Sequence, residues 1–242
     1  ELGLGSAIVA DSTARAEWRE CLAKGAFVTA VTASAPPFDL IETMRFDPAE
    51  GLIDLERHLG RLKASADTLA FAFDRHTARN ELQAATFPLR DARTVRLRLG
   101  PSGALAVEVR ALPRPPEEPV RVALAPLPVA RADFRLAHKT SDRAFRDAAR
   151  VAVGTFEVVF TDVEGFLTEG SFTTLFVEKD GLLLTPPLAR GLLPGILRQR
   201  LLEEGKAREA DLTPADLAGG FLIGNALRGL LPARLAAAAP IP

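Results

Sequence analysis

The segment FTDVEGFLTEGSFTTLFVEKDGLLLTPPLARGLLPGILRQRL, Phe160 to Leu201, decides how this chain is read. It predicts strand, turn, strand, turn, strand, and then an apolar turn that opens a helix. Glu169 stands at its middle, a carboxylate between two β-type segments. Pro194-Gly195-Ile196 opens a helix that runs toward Glu204. Upstream, Lys139 sits in LAHKTSDRAF.

A lysine amine, a carboxylate and backbone N–H donors at a Gly-opened helix are the parts needed to hold pyridoxal 5'-phosphate. The motifs TEGSFTTLF, LTPPLARGLLPGILR and GNALRGLLPAR resemble the class IV aminotransferase family of pyridoxal-phosphate enzymes. That family includes branched-chain and D-amino-acid aminotransferases and 4-amino-4-deoxychorismate lyase. The resemblance runs from about Phe38 to about Pro232, with its motifs in the family's order. It implies a mixed α+β or α/β fold of two subdomains, the fold type IV of the D-amino-acid aminotransferases.

Bulk properties bound the rest. A chain of 242 residues, 48% hydrophobic, can bury a sizeable core in one large domain or two small ones. Thirty basic residues against 31 acidic ones give no electrostatic case for nucleic acid or an anionic membrane. The single Cys21 excludes an internal disulfide framework and suits a cytoplasmic protein. No apolar run approaches membrane-spanning length, and no signal peptide is evident. The first residue is Glu1 rather than Met, so the chain reads as a piece of something longer or as a processed form.

Residues 1–25 predict a short strand at Ala7–Ala10, capping residues Asp11-Ser12-Thr13, and a helix ended by Gly25. Gly3 and Gly5 precede the strand, so they do not form a dinucleotide loop. The segment resembles the last residues of chorismate-binding synthases, with Glu17, Glu20 and Lys24 in the pattern of their final helix. Glu20 would match a magnesium-binding position there. Alone it has no partner ligands, so no metal site is expected in this chain.

Phe27–Pro37 is expected to be a strand followed by a linker ending in Pro36-Pro37, and Phe38–Arg45 a second strand, followed by a helix at Leu55–Leu69 with an apolar stripe of Leu55, Leu59, Leu62, Ala66 and Leu69. Another helix spans His76–Phe87. Thr94–Gly100 and Ala104–Leu112 form a hairpin around Pro101-Ser102-Gly103. Leu112–Val120 is rich in proline and charge and reads as a linker. Beyond it lie a strand at Val120–Val129, a helix from Asp142 to Val153 capped by Thr140 or Ser141, a short helix at Thr213 with Asp216 closing its capping box, and a strand at Phe221–Asn225. Four parts result: a tail of an upstream synthase domain (1–25), a small subdomain (26–111), the linker (112–120) and a larger subdomain bearing Lys139 (121–242).

The resemblance assigns roles by motif. Lys139 would carry the cofactor, and Glu169 would face its ring nitrogen. ERHLGRL matches the helix whose arginine reaches the cofactor phosphate, at Arg61, with Arg57 one turn earlier. Gly195, Ile196, Leu197, Asn225 and Ala226 would supply the phosphate loops. Branched-chain aminotransferases carry threonine at Leu197 and near Asn225, so here the phosphate would rely more on backbone and arginine. Arg96 and Arg98 share one face of their strand and could bind substrate carboxylates; an exposed charged sheet face is the plain alternative. Thr43 is a candidate proton relay, or simply a β-branched strand residue.

Branched-chain aminotransferases place a tyrosine five residues after the lysine. Position 144 is alanine, and the chain contains no tyrosine. Arg143 instead resembles the Lys-x-x-x-Arg arrangement of the lyase. The implied function is conversion of 4-amino-4-deoxychorismate to 4-aminobenzoate and pyruvate, in folate biosynthesis, by one part of a bifunctional protein fused to a chorismate-binding synthase. An aminotransferase for branched-chain or D-amino acids and a non-catalytic module supporting the synthase are the alternatives. The family is usually homodimeric.

Overall fold

The structure, a computed structural model, describes Thr13, Ala14 and residues 38–236. The expected strand at Ala7–Ala10, the strand and linker over Phe27–Pro37, the helix bearing Glu17, Glu20 and Lys24, and the last six residues lie outside that range.

The first sheet is antiparallel, in the order β2-β1-β3-β4. Its strands are β1 (Leu40–Asp47), β2 (Gly51–Leu52), β3 (Arg93–Leu99) and β4 (Leu105–Ala111). The alternation in β3 sends Val95, Leu97 and Leu99 into the core and leaves Arg96 and Arg98 on the other face. Helix α1 (Leu55–Leu69) packs on the core face through Leu59, Leu62 and Ala66, against Leu40, Met44 and Phe46 of β1. Helix α2 (Arg75–Thr86) adds Ala78 and Leu82 to the same core.

The second sheet has eight strands in the order β10-β9-β8-β11-β12-β5-β6-β7. They are β5 (Val120–Pro126), β6 (Glu157–Thr161), β7 (Leu167–Gly170), β8 (Thr174–Lys179), β9 (Leu182–Thr185), β10 (Ala207–Glu209), β11 (Phe221–Asn225) and β12 (Gly229–Leu235). β12 pairs with β5, β5 with β6 and β9 with β10 in parallel, and the other neighbours are antiparallel. β7 ends the strand order, yet only residues 171–173 separate it from β8, third from the other end. So short a link forces the sheet to curl until the two lie side by side, and Gly170 N–H donates to Thr173 O at 2.8 Å. The core holds Val120, Val122, Val159, Leu175 and Ile223.

Three helices complete this half: α3 (Phe134–Ala137), α4 (Ala144–Val153) and α5 (Ile196–Glu203). α5 seats Leu197 and Leu201 on Phe176 of β8. The three strands and a helix expected between Phe160 and Leu201 become four strands, a 3-10 turn at Leu188–Arg190 and a helix, with Leu182–Leu184 pairing with β8 as a separate strand. The capping box at Thr213–Asp216 forms on a 3-10 turn.

One cap differs from expectation. α4 begins at Ala144, and neither Thr140 nor Ser141 caps it. Residues 139–141 instead run extended along β1: Ile41 N–H donates to Lys139 O at 2.9 Å, and Ser141 N–H to Asp39 O at 2.8 Å. The Ser141 hydroxyl accepts from Asp39 N–H, and the Thr140 hydroxyl donates to Asp142 O. Pairing with a strand from the other sheet outcompetes local capping.

Candidate active site

A cavity of about 750 Å³ opens where residues 139–141 meet β1. The residues to which the sequence assigned a catalytic, cofactor or substrate role line it: Lys139, Glu169 and Thr43; Arg61, Gly195, Ile196 and Leu197; Asn225, Ala226, Arg96 and Arg98.

Lys139 is held by its backbone pairing to β1. Its side chain as a whole is half-buried while the amine is withdrawn from water. Burial first, and then the positive charge of Arg61, lower its pKa to about 7. An amine poised there is a competent nucleophile and base near neutrality.

Glu169 projects from β7 and is buried. Its Oε1 lies 2.6 Å from Arg146 Nη1 in α4. The contact is ionic but unaligned, so Oε1 makes no hydrogen bond. The turn after β7 is organised by buried Glu157. That carboxylate accepts from Ser171 N–H, Ser171 Oγ–H, Phe172 N–H and Thr173 Oγ1–H. Burial pushes its pKa up, which these donors oppose. Gly170 is required at this turn, since a Cβ would lie 2.7 Å from Glu157 Oε2 and would also strike Thr173 Oγ1.

Arg61 reaches the cavity from α1, and Arg57 does not. Arg57 is engaged outside, with Asp54 and Glu203. Arg200 of α5 also binds Asp54, so these pairs strap α1 to α5. Arg61 donates to Glu42 and to Pro194 O, beside the start of α5. No side chain caps α5, so its first N–H groups are available to an anion. A Cβ on Gly195 would sit 2.7 Å from Thr174 Oγ1, so only glycine lets this turn close. Asn225 is spent on shaping its loop: its Oδ1 accepts from Leu227 and Arg228 N–H, and its Nδ2 donates to Phe172 O.

Across the cavity, Thr43 faces Arg96 and Ile41 faces Arg98 in the register of β1 and β3. Arg98 is committed to Asp39, with Nη2–Oδ2 at 2.5 Å. The Arg96 guanidinium makes no ion pair or hydrogen bond among the described residues.

Residues 39–236 match the family model for amino-transferase class IV. The chain belongs to the class IV aminotransferase family. A Schizosaccharomyces pombe protein provisionally named an aminodeoxychorismate lyase is 29% identical over 181 residues, 72% of this chain and 77% of that one. A crystal structure of a provisionally named amino-acid aminotransferase from Mesorhizobium loti superposes with a TM-score of 0.76 at 37% identity, over 82% of this chain and 100% of that one. The 4-amino-4-deoxychorismate lyase of Pseudomonas aeruginosa superposes with a TM-score of 0.65 at 26% identity, over 81% and 82% of the two chains.

Class IV aminotransferases and lyases depend on pyridoxal phosphate. The residues here fit that group. Glu169 Oε1 is buried without a hydrogen bond, the Lys139 amine is held near pH 7, and the uncapped start of α5 lies beside Arg61.

Sequence reading missed three contributors. Glu42 lies on the core face of β1 between Leu40 and Met44, where an apolar residue is expected. His58, fully buried on α1, donates from Nδ1 to Glu42 at 2.7 Å. Arg146 is the charge partner of Glu169. The only signal for these was a polar residue at an apolar position of the pattern.

Proposed function

We propose that this protein is a pyridoxal-phosphate-dependent lyase that releases pyruvate from 4-amino-4-deoxychorismate to give 4-aminobenzoate. The observation that carries this reading is the charge of the cavity. Eight arginines line it, and three of them, Arg96, Arg150 and Arg228, have no carboxylate partner among the described residues. A branched-chain amino acid offers one carboxylate and an apolar tail, a poor match to that excess. The proposed substrate offers two carboxylates on an unsaturated ring. The likeness of residues 1–25 to a chorismate-binding synthase supports the same reading, because synthase and lyase catalyse consecutive steps.

In this reading Lys139 carries the cofactor and takes the proton from the amine-bearing carbon. Bound cofactor supplies a ring that withdraws electrons from that carbon. Glu169 would offer its free Oε1 to the ring nitrogen, with the Arg146 guanidinium beside it. Arg61 and the start of α5 hold the phosphate. Arg96, unpaired and beside Thr43, takes a substrate carboxylate. Thr43 hands a proton to the departing group. Loss of pyruvate from the neighbouring carbon leaves an aromatic ring, which drives the reaction forward.

A second reading, an amino-acid aminotransferase, is favoured by the 37% identity to the Mesorhizobium loti protein. One assay separates the two. Cofactor-loaded protein is given 4-amino-4-deoxychorismate without any 2-oxo acid, and 4-aminobenzoate and pyruvate are measured. The lyase forms both. Amino-group exchange between glutamate or alanine and 2-oxo acids that outruns 4-aminobenzoate formation would overturn the lyase reading.

A further inference from the structure

Most arginines of the cavity are neutralised in place. Arg61 pairs with Glu42, Arg98 with Asp39, Arg135 with Asp133, Arg143 with Asp147 and Arg146 with Glu169. Arg150 and Arg228 have no carboxylate partner among the described residues. Arg150 lies on α4, seven residues beyond Arg143 and four beyond Arg146, so all three share a face. Its Nε is buried without a hydrogen bond, and its guanidinium stands 5.7 Å from the centre of the Phe172 ring. Arg228, on the turn between β11 and β12, stands 5.8 Å from the Phe156 ring. Its one polar side-chain contact is a long bond, 3.4 Å, to Arg114 O. Burial lowers its pKa, with nothing nearby to offset it. The two rings meet edge to face at 5.7 Å. All four residues line the cavity that holds Lys139.

Aromatic faces give a cation about 0.5–2 kcal/mol, which does not replace the water it has lost. Two guanidiniums left unpaired at one wall of a ligand cavity call for an anion from the ligand. The arginine fork matches a carboxylate at two points. The Phe rings between the forks offer flat apolar surface to the carbon skeleton that joins carboxylate to ring.

We propose that Arg150 and Arg228, mounted on Phe172 and Phe156, form a carboxylate subsite built by the second sheet and its helix, distinct from the Arg96 position on the first sheet. The cavity then selects a rigid, unsaturated diacid, one carboxylate for each wall. The identity of that diacid rests on the lyase reading, whereas the subsite itself rests on the four side chains.

Calorimetric titration of the cofactor-loaded protein tests this with two probes, 3-(carboxymethoxy)benzoate and 3-methoxybenzoate. They differ by one carboxylate. The wild-type protein is expected to bind the diacid about tenfold or more tightly than the monoacid, as one charged hydrogen-bonded contact provides. The double variant Arg150→Gln/Arg228→Gln is expected to reduce that ratio to about threefold or less. Cofactor absorbance serves as the check on folding. Should the double variant fail to hold cofactor, Arg228→Lys is used, which keeps the charge and loses the fork. It is expected to lower the ratio at least about threefold. A ratio unchanged in the variant that folds overturns the subsite. Release of 4-aminobenzoate is measured separately. Diacid preference without 4-aminobenzoate removes the lyase reading and leaves the subsite standing. Release of 4-aminobenzoate without diacid preference removes the subsite and leaves the lyase.

Discussion

Glu42 grips Arg61 at two points, with Nη2 2.6 Å from Oε2 and Nε 2.9 Å from Oε1. A third Arg61 donor goes to Pro194 O at 3.0 Å. A guanidinium has five N–H donors, so two remain for an anion at the start of α5. Arg61→Ala is therefore expected to weaken cofactor binding by about 2–5 kcal/mol, as for breaking a buried charged contact. Arg57→Ala, which touches only Asp54 and Glu203, should change it little. Titration of the apoprotein with pyridoxal phosphate, followed by absorbance, measures both. Equal losses in the two variants would show that Arg61 has no special place at the phosphate.

The same pair gives a dependence on pH. Burial works to raise the Glu42 pKa, but Arg61 and His58 outweigh it and hold it at about 2. A carboxylate whose pKa falls on folding stabilises the fold above its unfolded value, and that stability is lost as pH falls toward the folded value. The window runs from about 4.5 down to about 2. Wild type minus Glu42→Gln, in urea unfolding at successive pH values, should shrink through that window by an amount on the order of 3 kcal/mol. A difference independent of pH would mean that Glu42 is not charged in the fold.

Lys139 should react as a neutral amine well below the pH at which an exposed lysine does. In the apoprotein its pKa of about 7 predicts half-maximal labelling by an amine reagent near pH 7. Labelling followed by peptide mapping gives the profile. After cofactor loading, borohydride should fix the cofactor on Lys139, and an adduct on Lys63 or Lys179 would refute the assignment. Lys139→Ala should abolish turnover.

Glu169→Ala should slow turnover roughly 10²–10³-fold, as loss of one preorganised electrostatic contact does. Arg146→Gln removes the cation 2.6 Å from Oε1 and should slow it less. Rate constants under saturating cofactor separate this effect from a binding defect. Arg146→Gln matching Glu169→Ala would mean that the two act as one unit.

Gly170→Ala should cost stability by about 1–3 kcal/mol, the range for overpacking. The added Cβ would meet Glu157 and Thr173. Denaturant unfolding checks the loss, and a neutral result would show that the turn after β7 has room to give.

The local elements were legible in the sequence because each is decided by neighbours a few residues apart. The 3.6-residue stripe of α1, the alternation of β3 and the capping box at Thr213–Asp216 are of that kind. Family motifs then named Lys139, Glu169, Arg61 and the two loop regions, all of which line one cavity. What the chain folded up had to decide were pairings between residues far apart in sequence. Residues 139–141 gave up capping α4 to pair with β1, a choice settled by a strand about a hundred residues upstream. Glu42 and His58 sit at positions that local pattern assigns to the core. Only their meeting with Arg61 makes a buried charge tolerable there. Which arginines remain without a carboxylate was likewise invisible in a balanced composition of 30 basic and 31 acidic residues. Charge pairing depends on distance in space, and the curl that brings β7 beside β8 sets those distances.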